Sequence, residues 1–130
     1  MSGADLHFAE FNGAFLTEAN LTGANMISTN MQRTQIEKAI LTGANLTSTH
    51  LNEANLTGAN LTGVNLTGAD LTGTDFSETQ LAGVVISDKN WLSRLDQWKV
   101  AGAKEIQRRY KIADQSTSQE TKYQLEKIIK

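Results

Sequence analysis

The chain has 130 residues, 39 % of them hydrophobic, with a net charge of −2, no cysteine and no proline. Those numbers fit one domain with an appendage and exclude disulfides and thiolate metal sites. No apolar run is long enough to span a bilayer, and the N-terminus lacks the pattern of a secretory signal, so a cytoplasmic protein without membrane contact is expected.

From the N-terminus onward, a large apolar residue recurs every five positions. The series runs Leu6, Phe11, Leu16, Leu21, Met26, Met31, Ile36, Leu41, Leu46, Leu51, Leu56, Leu61, Leu66, Leu71, Phe76, Leu81, Ile86. Two positions before each stands a small or β-branched residue, and one before it is mostly Asn or Asp. Thr and Gly commonly follow. Ala54-Asn55-Leu56-Thr57-Gly58 is a clear copy. A period of five suits neither a straight helix nor a straight strand. Successive leucines on a helix would rotate by about 140°. In a strand an odd repeat sends every second leucine to the wrong face. The chain must turn a corner in each pentad, with Ala-Asn-Leu extended and Thr-Gly at the corner. Glycine at positions such as Gly43, Gly58 and Gly63 supplies the positive φ of a type II turn. Phe8, Glu18, Ser28, Arg33, Lys38, Ser48, Glu53 and Glu78 fill the same slot elsewhere, and there another turn type is expected.

This repeat resembles that of the pentapeptide repeat family, A(D/N)LxX, over residues 4–88, in seventeen pentads of one frame. The resemblance implies an all-β solenoid: a right-handed quadrilateral β-helix of about four coils, with four pentads per coil. At ~4.8 Å per coil it would stand roughly 20 Å tall. Leu21, Leu41, Leu61 and Leu81 then form one inner column. Thr29 and Thr49 are inward neighbours whose hydroxyls must find partners.

The frame ends at Asp88, which divides a β-helical domain (1–88) from a C-terminal capping segment (89–130). Ser87 or Asp88 is expected to cap a helix. Trp91, Leu95 and Trp98 share one face of it and form a lid over the last coil. Gly102 breaks or bends that helix, and Ala103–Tyr110 continues it. For residues 119–130 two readings stand. Thr117 and Glu120 fit a capping box before a helix carrying Leu125, Ile128 and Ile129, the preferred reading. Tyr110, Ile112, Tyr123 and Leu125 instead alternate as in a hairpin. The N-terminal coil has no comparable lid, so self-association is expected to cover it.

Charge is divided unevenly. Residues 1–88 carry nine carboxylates against Arg33 and Lys38, net −7; residues 89–130 carry ten Lys or Arg against five acids, net +5. Apolar residues break the outward polar rule at Phe8, Phe15, Ile27 and Ile40, the candidate contacts for a protein partner whose identity the sequence does not give. A Glu10–Asn30–His50–Asp70 column is expected on one face, but no nucleophile, phosphate loop or metal spacing accompanies it. No catalytic, cofactor or metal site is assigned, and no enzyme activity is expected. Arg108-Arg109-Tyr110-Lys111 is too short a basic run to carry direct nucleic-acid binding. The function expected is a non-catalytic scaffold for a protein partner. The alternative comes from the family resemblance: some members mimic duplex DNA and bind type II topoisomerases.

Overall fold

The computed structural model describes residues 1–128. From Asp5 to Asn65 every outward residue of the repeat pairs in parallel with the residue twenty positions on, as in the ladder Asp5, Asn25, Asn45, Asn65, Val85. Three further ladders start at Glu10, Phe15 and Asn20, so the cross-section has four sides. The bonds alternate in direction. The N–H of Asn25 donates to Ala4 O (2.8 Å), and that of Leu6 donates to Asn25 O (2.7 Å). Each outward residue therefore turns both its backbone groups toward the preceding coil.

Corners close with a bond from the small inward residue back to the preceding large one, as from the Ala44 N–H to Leu41 O (2.8 Å). The corner slot is left-handed throughout. Gly43 has φ 70°, and Phe8, Glu18, Ser28, Arg33, Lys38, Ser48, Glu53 and Glu78 have φ between 55° and 63°. The expectation of a second turn type is therefore corrected: one geometry serves all corners. Its reason lies in the stack. The left-handed residue's N–H must point along the solenoid axis, as Ser28 N–H does to Thr47 O (2.9 Å) and Gly43 N–H to Thr62 O (2.9 Å). A non-glycine residue accepts a cost of ~1–2 kcal/mol to keep that bond.

The Asn/Asp before each leucine also has a structural task. Its side-chain oxygen accepts the N–H two residues on, and often the Thr hydroxyl as well. Asn60 Oδ1 lies 3.0 Å from Thr62 N and 2.7 Å from Thr62 Oγ1, and Asn20, Asn45 and Asn55 do the same. This Asx brace holds the chain into the corner and explains Asn-Leu-Thr as a unit.

Inside, Leu21, Leu41, Leu61 and Leu81 are fully buried, as are Val64 and Val84. Thr29 Oγ1 donates to Met26 O (2.6 Å) and Thr49 Oγ1 to Leu46 O (2.8 Å), so these buried hydroxyls are satisfied by backbone.

The cap is assembled from short pieces. Strand β1 (Val85–Ile86) ends the solenoid, followed by helix α1 (Trp91–Arg94), helix α2 (Ala103–Arg109), and strands β2 (Tyr110–Asp114) and β3 (Tyr123–Lys127). The preferred helix over the last segment is overturned. β2 and β3 form an antiparallel hairpin, and β3 also pairs with β1, giving the order β1-β3-β2. An unpaired edge at Val85 rewards a strand there more than a solvated helix would be rewarded. Thr117 does accept the Glu120 N–H (3.1 Å), but this closes the hairpin loop with Thr117 N–H bonding back to Glu120 O (2.8 Å). Ile129 lies outside the described residues.

Helix α1 starts one residue after Asn90, not at Ser87 or Asp88. Asp88 instead accepts the Asn90 N–H (2.8 Å) and pairs with Arg94 (2.7 Å). Beyond α1 the chain re-enters the ladder: Ala101 pairs in parallel with Asp75, and Gly73 N–H donates to Trp98 O (2.7 Å). Asp96, in the turns that follow α1, is tied to α2 through Gln107 (3.2 Å) and Lys104 (3.4 Å). The Gln107 hydrogen bond and then the Lys104 contact keep its carboxyl below the usual aspartate range.

Candidate interaction surface

Residues expected to carry contacts fall into two groups. Phe8 (69 % exposed), Phe15 (84 %) and Ile40 (43 %) are open to solvent. Ile27 is not: it is half-buried, with its N–H held by Asn25 Oδ1 at 3.3 Å. Phe8 and Ile27 do meet at one corner, where Phe8 N–H donates to Ile27 O (3.0 Å). Phe15 stands mid-face in the first coil, and Ile40 lies on the next face between Asn20 and Asn60. Their surroundings are otherwise polar, built on a backbone whose bonds run along all four sides.

The Glu10, Asn30, His50, Asp70 column forms as a ladder, with Asn30 Nδ2 on Glu10 Oε2 (3.0 Å). His50 and Asp70 are both exposed. His7 lies within 2.5 Å of Asp5, a pair that sequence reasoning missed. That contact is the main reason the Asp5 carboxyl lies below its ordinary value. Two residues apart around a corner, the pair has no signal in the pentad pattern. Among the described residues no three His, Asp or Glu side chains converge to hold a metal.

At the far end the three cap residues come together but not on one helical face: Trp91 lies in α1, and Leu95 and Trp98 follow its end at Arg94. Trp91 and Leu95 are buried and Trp98 is half-buried, with the two indoles edge to face at 6.3 Å. They flank a cleft of about 220 Å³ lined by Leu66, Ala69 and Ile86. Tyr110 completes the closure, its buried hydroxyl accepting the Leu81 N–H at 3.0 Å.

A family model described as Pentapeptide repeats matches residues 1–37 and 39–78, in eight copies. The chain belongs to the pentapeptide repeat family. Among solved structures, this pentapeptide repeat chain is similar to Rfr23 from the cyanobacterium Cyanothece 51142. The two share 38 % identity at a TM-score of 0.65, over 76 % of this chain and 60 % of that one. It is similar in fold to alr5209 from Nostoc Pcc 7120, with 20 % identity, a TM-score of 0.60, and coverage of 75 % and 83 %. The chain thus spans less than two thirds of the length of Rfr23. No curated protein matches it. Membership implies a right-handed quadrilateral β-helix, and the four ladders agree with its four sides. Among the described residues no helix is long and apolar enough to cross a membrane.

Proposed function

We propose that the chain is a non-catalytic interaction module that presents a rigid β-helical surface to a protein partner. The observation that supports this is the exposure of Phe8 at a corner and of Ile40 between the polar, braced Asn20 and Asn60. A stiff backbone loses little entropy on binding, so a few apolar anchors suffice.

The DNA-mimic reading has less support. A net −7 spread over a rod of roughly 20 Å is about one charge per 3 Å, against about one per 1.7 Å for duplex DNA. No twenty-residue column holds more than two carboxylates. Arg33 also offsets Glu53 at 3.3 Å.

The test is retention of a partner from lysate on the immobilised chain. Ile40→Asp or Phe8→Asp should weaken retention about tenfold while leaving the circular-dichroism spectrum unchanged. Equal retention by wild type and both variants contradicts the proposal. Inhibition of topoisomerase supercoiling by the chain would favour the mimic instead.

A further inference from the structure

The two ends of the solenoid are built differently. At the C-terminal end β3, residues 98–101 and the Tyr110 hydroxyl take up ladder groups of the last coil. At the N-terminal end Asp5, Glu10, Phe15 and Asn20 each turn a backbone N–H and C=O outward along the axis. None of these groups has a partner among the described residues. Leu6, Phe11 and Leu16 are only partly buried beneath them. Buried polar backbone is almost always paired, and open strand edges are sites of association.

We infer that this end binds a second copy of the same chain, head to head about a two-fold axis, through antiparallel pairing on all four sides. Flipping one solenoid onto the other reverses strand direction on every face. Each outward residue then meets one whose N–H and C=O both point toward it, the geometry in which two residues exchange two hydrogen bonds.

Four orientations of the two-fold axis bring face onto face. Three of them place carboxylate opposite carboxylate: Asp5 on Asp5, Glu10 on Glu10, or Asp5 on Glu10. The fourth passes through the corners at Gly3 and Gly13. It sets Asp5 opposite Asn20 of the second copy, and Glu10 opposite its Phe15. Like charges directly opposed are unfavourable, so the fourth register is selected.

The side chains agree with that choice. Asn20 Oδ1 is taken by the Thr22 N–H (3.1 Å) and hydroxyl (2.7 Å), which leaves its amide nitrogen to donate. Asp5 Oδ1 is taken by His7 (2.5 Å) and Asn25 Nδ2 (3.1 Å), which leaves Oδ2 to accept. The end of a square whose sides hold five residues is at most roughly 17 Å across. That is small for a stable interface, so the backbone ladder and this charge match, rather than apolar area, hold the pair.

Light scattering on the 130-residue chain during size exclusion, from 1 µM to 500 µM, tests the inference. The expected mass at high concentration is twice 14.2 kDa. Asn20→Asp, which keeps the Thr22 brace but sets one carboxylate against each Asp5, should raise the dimer dissociation constant about tenfold. The penalty should shrink in high salt. The exchange Asp5→Asn with Asn20→Asp should restore the dimer to within about threefold. A folded monomer throughout, an open-ended polymer, or a dimer indifferent to Asn20→Asp overturns the inference. So does failure of the exchange to rescue. Capture of a different protein at this end by a monomeric chain overturns it equally.

Discussion

Leu61→Ala is expected to destabilise the chain by about 2–5 kcal/mol in denaturant unfolding. Leu61 is fully buried between Leu41 and Leu81 of its own column. The cavity it leaves cannot collapse easily, because the backbone around it is pinned to coils on both sides. Leu61 N–H donates to Gln80 O (2.9 Å) below the cap, and Asn60 N–H donates to Ala39 O (2.9 Å). A loss of that size is a large share of the ~5–15 kcal/mol that stabilises a typical domain. Neighbouring coils share contacts, so Leu41→Ala with Leu61→Ala should be non-additive. Substitution of the outward Asn60 by Ala should cost less, about 1 kcal/mol, because only the corner brace is lost.

Gly102→Ala is expected to cost about 2–4 kcal/mol and to detach the cap. Gly102 has φ 87°, and a Cβ there would stand 2.9 Å from Ser77 N, 3.0 Å from Ser77 Cα and 3.1 Å from Phe76 C. These are backbone atoms of the last coil and have nowhere to go. Relief requires residues 98–101 to leave the ladder, which breaks the bonds of Phe76 N–H to Ala101 O (2.9 Å) and Gly73 N–H to Trp98 O. The cap would open around Trp91 and Trp98, so indole fluorescence reports the loss directly. Gly43→Ala is the control. Its φ is 70°, but nothing lies within 4 Å of the added carbon, and only the conformational cost of about 1 kcal/mol applies.

These two sites also show how much was legible in the sequence. Leu61 announced itself through its period, since only a chain that turns every five residues can bury all the members of that series. Gly102 was visible only as a breaker of helix. Its true constraint, close approach to Ser77, depends on how residues 98–101 return to the solenoid after the excursion of α1. No local pattern encodes that return. The hairpin was hidden for a related reason. Tyr110, Ile112, Tyr123 and Leu125 alternate as strands do, but the preference was decided by the edge at Val85, about forty residues away in sequence. Thr117 and Glu120 meet at capping-box spacing and yet close a loop, because one local hydrogen bond does not dictate the conformation of the residues beyond it. The left-handed corners at Phe8 and Arg33 carry the same lesson. Residue preference argued for a different turn, and the axial hydrogen bond prevailed. Of the candidate contact residues, the exposure of Phe8, Phe15 and Ile40 was legible because they violate a strict polar rule, whereas the burial of Ile27 depends on the corner it shares with Phe8.

The central claim is that residues twenty apart are neighbours in a square coil, and the absence of cysteine makes it directly measurable. Two cysteines can be placed at His50 and Asp70, which face each other in the ladder, and in a second variant at His50 and Asp75, which sit on different faces. Adjacent strands bring Cα atoms within the ~4.4–6.8 Å that a disulfide spans. Under mild oxidation the first pair should form an intramolecular bond in high yield and the second should not. Equal cross-linking of both, or of neither in a folded chain, would contradict the twenty-residue coil.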